Sequence, residues 1–134
     1  KVIALSRIGR LAAQSTKRFG EPKMLQKEFK TLIAEILQNA NPEITMKIGG
    51  SSDEPTDTDN GLKGAELVSV ITESDQSGPS FIAKTAAPIV IPAGEAREMV
   101  FINQDGVVMD RLLITPLPGG PNTKVELEYR LEVI

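Results

Sequence analysis

The stretch that decides the fold is KVELEYRLEV, residues 124–133, in which apolar residues alternate without a break with charged ones. Successive side chains of a β-strand point to opposite faces of a sheet, so this period of two predicts a strand with one buried face. The charged face meets water or a partner. The candidate β-interface residues on the apolar face are Val125, Leu127, Tyr129, Leu131 and Val133.

Six further β-prone runs lie between Pro42 and this strand. The part of the chain from Pro42 onward holds eight of the nine prolines and nine of the eleven glycines, which separate the runs as turn residues. Several short strands with regular turn residues are typical of an antiparallel sandwich or barrel. The runs are residues 44–48, 66–72, 81–84, 88–91, 97–102 and 107–117.

Before Pro42 the apolar residues follow a helical period. Residues 22–39 are predicted to form an amphipathic helix, with Pro22 at its first position and its end forced by Pro42, because the residue before a proline is pushed out of the α region. Its apolar residues make one stripe at the i, i+3, i+4, i+7 spacing. The candidate packing stripe consists of Leu25, Phe29, Leu32, Ile33, Ile36 and Leu37.

An earlier helix is predicted over residues 2–19, where apolar residues recur at roughly helical spacing, although Gly9 weakens it. The predicted fold class is therefore α+β, with two N-terminal helices followed by an antiparallel β-sandwich. We divide the chain into a basic N-terminal arm, residues 1–20, and a single domain, residues 21–134. That domain comprises the helix at 22–39 and the sandwich at 43–134.

Charge is distributed unevenly along the chain. Residues 1–30 contain eight basic and two acidic residues, and the remainder contains seven basic and sixteen acidic residues. The overall charge of −3 thus hides a cationic arm on an acidic body, which bears on partners rather than on fold. The candidate assembly arm residues are Arg7, Arg10, Lys17 and Arg18.

The chain contains neither histidine nor cysteine. This excludes His-based triads, cysteine nucleophiles and zinc sites built from these residues. The phosphate-binding motifs G-x-x-x-x-G-K-[ST] and G-x-G-x-x-G are also missing. We therefore expect no enzymatic activity and no cofactor, although a pair of carboxylates needs only spatial proximity and stays open as the one catalytic alternative.

A long polar loop, residues 49–64, carries five carboxylate or carboxamide side chains that suggest a calcium site, those of Asp53, Glu54, Asp57, Asp59 and Asn60. The spacing does not fit an EF-hand. Only Asp57 and Asp59 precede Gly61 where three ligands are expected, and Glu66 follows that glycine by five residues instead of six. A solvated acidic loop is favoured over a metal site.

The basic arm allows three kinds of contact: with nucleic acid, with anionic lipid, or with the acidic body of another copy. Proteins that bind single-stranded nucleic acid add aromatic residues for stacking, and the basic residues 1–30 include only Phe19 and Phe29, so nucleic acid is not favoured. Lipid binding requires a better amphipathic helix than residues 2–18 provide. The body supplies opposite charge for the third kind of contact. The alternative is that both helices pack on the sheet with their charges in solvent.

Three stretches resemble the strand, tight turn and bulged strand succession of small jelly-roll virion proteins, namely the coat, cement or decoration proteins of bacterial viruses. They are residues 87–95, 99–102 and 110–116. The resemblance implies a structural subunit of a viral shell, located in the virion and held by contacts with its own copies or other virion proteins. A non-catalytic binding module for carbohydrate or protein is the alternative. No apolar run reaches the roughly 18 residues of a membrane span.

Overall fold

The structure of the protein is a computed structural model that describes residues 2–11 and 26–133. Within these residues the chain forms one helix and eight strands. The helix, α1, spans Lys27–Ala40. The strands are β1 (Val2–Leu11), β2 (Glu43–Gly49), β3 (Glu66–Ser77), β4 (Ser80–Lys84), β5 (Ile89–Val90), β6 (Glu95–Asn103), β7 (Val108–Pro118) and β8 (Lys124–Val133).

The strands are joined in the order β1-β8-β4-β3-β2-β6-β7, and β5 pairs with β8. All pairs are antiparallel except β1 with β8. The consecutive strands β2, β3 and β4 are neighbours, and β6 returns to lie beside β2, which makes a Greek key. The prediction of a mainly antiparallel β-structure is confirmed, and the bounds of β8 coincide with the predicted strand.

The sheet curls around its core because the first part of β3 pairs with one strand and its last part pairs with another. Residues Glu66–Glu73 of β3 pair with β2, and Ser74–Ser77 pair with β4. As a result β6 and β8, which are separated by three strands in the sheet, face each other across the core. The rings of Phe101 and Tyr129 stack there with centroids 4.6 Å apart. The core cluster consists of Ile44, Met46, Ile48, Phe81, Ala83, Ile91, Ala96, Met99, Phe101, Val125, Leu127 and Tyr129.

Helix α1 packs against β3, β4 and β8. The helix ends as predicted before Pro42: the backbone N–H of Asn41 donates to the carbonyl of Leu37 at 3.0 Å, and the Asn41 side chain donates to the same carbonyl at 2.8 Å. The helix begins later than predicted, at Lys27 instead of Pro22, because the backbone of Gln26 is extended, with φ −67° and ψ 146°. Residues 22–25 lie outside the described residues. No helix in the described part of the chain is long and apolar enough to cross a membrane.

The helix predicted over residues 2–19 is wrong for its first half, because Val2–Leu11 form strand β1, so that the described chain has one helix instead of two. β1 runs parallel to β8, and Leu5 is paired in register with Leu127. Helical spacing misled the prediction because β-branched Val2 and Ile3 favour a strand and Gly9 disfavours a helix. Residues 2–11 form a strand because the free edge of β8 supplies hydrogen-bond partners for their backbone. Residues 12–19 lie outside the described residues.

Candidate functional site

The most elaborate polar arrangement of the described chain is built on the outer face of β6 and β7. Met99 and Phe101 of β6 point into the core, so the alternating residues Glu98 and Val100 point to the opposite face. Arg111 of β7 is paired in register with Val100 and shares that face. Arg111 Nε donates to Glu98 Oε1 at 3.0 Å, and the exposed fractions of these side chains are 1% and 0%. The pair is therefore removed from water.

Glu98 binds the two ends of the loop that connects β2 to β3. Its Oε2 accepts hydrogen bonds from the backbone N–H of Ser51 at 2.7 Å and of Gly64 at 2.8 Å. Its Oε1 accepts one from the N–H of Lys63 at 2.7 Å. A Cβ at Gly64 would lie 2.6 Å from the Ser51 nitrogen, so this close approach of the two loop ends requires glycine.

These hydrogen bonds determine the protonation state of Glu98. Burial raises the pKa of its carboxyl group, because the charged form loses its hydration. The N–H groups of Lys63, Ser51 and Gly64 and the Arg111 guanidinium act in the opposite direction and prevail, so the pKa of Glu98 lies below its usual value. Glu98 is therefore an ionised carboxylate, and it is compensated by one full charge and three amide dipoles.

Asp59 holds the middle of the same loop. Its carboxylate accepts hydrogen bonds from the Thr56 N–H and the Thr56 hydroxyl, both at 2.9 Å. It also pairs with Lys63 Nζ at 3.2 Å and with Arg111 Nη1 at 3.4 Å. The backbone hydrogen bond from Thr56 is the main reason that the pKa of Asp59 falls to about 2. Burial opposes this shift, while the Thr56 hydroxyl and Lys63 support it.

Arg111 connects both carboxylates to the loop. Besides Glu98 and Asp59, it binds the backbone carbonyl of Asp53 through Nη1 at 2.9 Å. Its Nη2 is buried and has no hydrogen-bond partner among the described residues. A buried guanidinium nitrogen without an acceptor is costly, and Nη2 therefore keeps an unused capacity to donate a hydrogen bond.

A groove of about 580 Å³ runs between the loop and β7. Its loop side contains the exposed residues Glu54 and Asp57, and its strand side contains Val108–Leu113. The groove thus combines carboxylates, the Arg111 guanidinium and apolar side chains. Among the described residues no group of three or more acidic, histidine or cysteine side chains is placed to hold a metal ion.

The loop at 49–64 was expected to be a solvated acidic segment, and only its tip fits that description. Glu54 and Asp57 are exposed, but the Asp59 side chain is 2% exposed and both loop ends are fixed to Glu98. Sequence reasoning missed Glu98 and Arg111. One sequence feature could have indicated Glu98: it directly precedes the run Met99–Ile102, which is apolar on both faces and so predicts a strand covered on both sides.

The predicted packing stripe on α1 is divided between two environments. Ile33 and Leu37 are half-buried next to the fully buried Ala34. Three members of the stripe remain in solvent, with exposed fractions of 50% for Phe29, 46% for Leu32 and 57% for Ile36. Leu25 lies outside the described residues.

The structure also places the residues of the predicted β-interface and two of those in the basic arm. Val125, Leu127, Tyr129 and Val133 are buried within the chain and the partly buried Leu131 packs against the core, so these side chains stabilise the fold. In the arm, Arg7 and Arg10 belong to β1, paired in register with Tyr129 and Glu132. Lys17 and Arg18 lie outside the described residues.

Comparison with known proteins gives this chain no relative: no family model matches it, and neither the curated proteins nor the solved structures contain a significant match. Function must therefore be inferred from the surfaces described above.

Proposed function

We propose that this protein is a structural assembly subunit of a viral particle, in the shell or attached to it, held there by contacts with its own copies or with other virion proteins. The observation that carries the proposal is the apolar face of α1 formed by Phe29, Leu32 and Ile36, which we call the outer helix face. Its members are about half exposed in the single chain. Contiguous exposed apolar patches are typical of protein interaction sites.

The outer helix face is continuous with the face that already packs on the sheet. Phe29, Leu32 and Ile36 are spaced i, i+3 and i+7 and so lie on one side of the helix, while Ala34 and Leu37 lie on the side that faces β3, β4 and β8. The apolar side of α1 is thus wider than the part of it that the sheet covers. A second protein surface against the outer helix face would bury these side chains at roughly 25 cal/mol per Å² of apolar area.

The strand arrangement supports the more specific part of the proposal, a β-sandwich of the jelly-roll type. Its supports are the Greek key β6-β2-β3-β4 and the stacking of Phe101 on Tyr129 across the core. Eight strands and two Greek keys characterise a jelly roll. The virion location rests on this likeness together with the basic N-terminal segment. We propose no catalytic step.

Size-exclusion chromatography with light scattering, at low and high salt, tests the assembly role. We expect concentration-dependent association that survives high salt, since apolar contacts are not screened. The double substitution Phe29→Gln/Ile36→Gln should abolish this salt-resistant association, whereas Glu28→Gln, an exposed charge on the same helix, should not. A wild-type chain that is monomeric at every concentration and salt would refute the proposal.

The virion location has its own test, which uses the protein isolated from its source. Negative-stain electron microscopy of the native material should show it within large symmetric particles. Recovery of the native protein only as small, asymmetric species would contradict the virion location without touching the assembly role.

A non-catalytic binding module is the second candidate, favoured by a groove of about 840 Å³ beside β3, β4 and β8. Ile71, Lys84, Glu128 and Arg130 are among the residues that line it. The aromatic rings that carbohydrate sites use for stacking are not available there, because Phe81, Phe101 and Tyr129 are buried in the core. Binding to a glycan array that survives Phe29→Gln/Ile36→Gln but is lost in Lys84→Ala/Arg130→Ala would favour this candidate over assembly.

A further inference from the structure

We propose that the groove between the 53–59 loop and β7 binds residues 12–25 of a second copy as an extended basic segment. This inference rests on the assembly role proposed above and specifies where one subunit contacts the next.

The first support is the edge position of β7. The strand ends the sheet order and pairs only with β6, so one side of its backbone has no strand partner among the described residues. Such an edge is a template for a further extended chain. β7 is 11 residues long, and the groove runs along its Val108–Leu113 portion.

The second support is charge. The acidic residues Glu54, Asp57, Asp59 and Asp110 are among those that line the groove, whereas Arg111 is the one basic residue in its lining. Asp59 is paired with Arg111 and Lys63, so the exposed carboxylates of Glu54 and Asp57 dominate the rim of the groove. An anionic ligand would be repelled from this rim, whereas lysine and arginine side chains are attracted to it.

The third support is the Arg111 Nη2 atom. Arg111 lines the groove with its side chain 1% exposed, and this nitrogen has no acceptor among the described residues. A bound metal ion or ammonium group provides no acceptor. A peptide provides both complements, because its carbonyl oxygens accept hydrogen bonds while its basic side chains pair with carboxylates.

Residues 12–25 have the composition and length that this groove requires. They include three basic residues, Lys17, Arg18 and Lys23, and one acidic residue, Glu21. Fully extended, 14 residues reach about 45 Å, which is sufficient to bridge to a neighbouring subunit. The segment is tethered on both sides to the β8 region, since β1 pairs with β8 and α1 packs on β3, β4 and β8. Neither of these tethering elements is a pairing partner of β7.

Engineered disulfides test the contact directly, because the native chain has no cysteine. The single variants Arg18→Cys and Asp57→Cys are mixed in a glutathione redox buffer at low salt, and the crosslinked dimer is followed on non-reducing gels. We expect it to form at least about tenfold faster than with Arg18→Cys mixed with Glu43→Cys, a matched exposed carboxylate outside the groove.

Two results would overturn the inference. In one, the Arg18→Cys/Asp57→Cys double variant closes an internal disulfide faster than the mixed variants crosslink, which would place the segment in the groove of its own chain. In the other, the mixed variants crosslink no faster than the control while the protein still associates through the outer helix face. That second result removes the groove contact and leaves the assembly role standing, whereas a monomeric wild type removes the assembly role itself.

Charge exchange provides a second, independent measurement. Both Glu54→Lys/Asp57→Lys and Lys17→Glu/Arg18→Glu should weaken the salt-sensitive part of the association by about tenfold or more, and mixing the two variants should restore it. Glu43→Lys should have no effect. Additive losses without restoration would count against pairing between these two sites.

Discussion

Arg111 donates from Nε to the Oε1 atom of Glu98 across two paired strands, and this ion pair holds together three parts of the chain: β6, β7 and the 49–64 loop. The pair differs from a surface salt bridge because both side chains are almost fully buried. The main effect of the ion pair is to position β6, β7 and the loop relative to one another. A buried pair contributes little net energy compared with apolar residues, but removal of one partner leaves an uncompensated charge.

Replacing Arg111 by Met should therefore destabilise the protein by about 3 kcal/mol, since Glu98 loses its charge partner while it stays buried. The double variant Arg111→Met/Glu98→Met should recover part of this loss. Urea denaturation of the wild type and both variants measures the difference. A single variant as stable as the wild type would show that the three loop N–H groups are sufficient to compensate Glu98.

Asp59 should contribute to the pH dependence of the free energy of unfolding. Its pKa is lowered to about 2 in the folded chain, so the unfolded chain binds the proton more readily. The stability that Asp59 contributes is present above its unfolded pKa of about 3.9 and is lost as the pH falls through about 2. Between pH 2 and pH 5, the free energy of unfolding measured by denaturation should depend less steeply on pH for Asp59→Asn than for the wild type. Identical slopes would contradict the assignment.

Two phenylalanines offer a matched comparison of burial. Phe101 is fully buried and stacks on Tyr129, whereas Phe29 is half exposed on the outer helix face. Phe101→Ala should cost about 3–5 kcal/mol in monomer stability, and Phe29→Ala should change it by no more than about 0.5 kcal/mol. Thermal unfolding at low protein concentration separates these effects from association. Similar losses for both variants would mean that Phe29 is packed within its own chain.

Gly64 should not tolerate a side chain. In Gly64→Ala the new Cβ would meet the Ser51 backbone nitrogen at 2.6 Å, so the two ends of the loop would have to separate and weaken their hydrogen bonds to Glu98. We expect a loss of about 1–3 kcal/mol and faster amide exchange at Ser51 and Gly64. Gly120→Ala, where a Cβ meets nothing within 4 Å, is the control. Equal stability of both variants would contradict the close approach.

Sequence alone indicated the strands well because their determinant is local. The alternation of apolar and charged residues in 124–133 predicts the bounds of β8, and the predicted run 97–102 covers most of β6. β1 was missed because its strand state depends on the edge of β8, more than 110 residues away in the chain. No local pattern in Val2–Leu11 contains that partner.

The polar site was missed for a related reason. Glu98 and Arg111 belong to different strands, and their partners are backbone N–H and carbonyl groups of a loop whose side chains carry no matching pattern. Hydrogen bonds to main-chain atoms leave no trace in residue identities. The spacing of acidic residues instead directed attention to a calcium template, although Asp59 proves to be a partner of Thr56, Lys63 and Arg111.

The way in which Glu98 closes the loop makes the closed base independent of the charges carried by its tip. The Glu98 carboxylate binds backbone N–H groups at both ends of the loop, and Arg111 binds the backbone carbonyl of Asp53. These contacts involve only main-chain atoms of the loop, so Glu98 makes no hydrogen bond to the side chains of residues 54–58. The closed base of the loop therefore does not depend on the charges at its tip, so that Glu54→Lys/Asp57→Lys changes the charge of the groove while the hydrogen bonds to Glu98 that close the base remain in place.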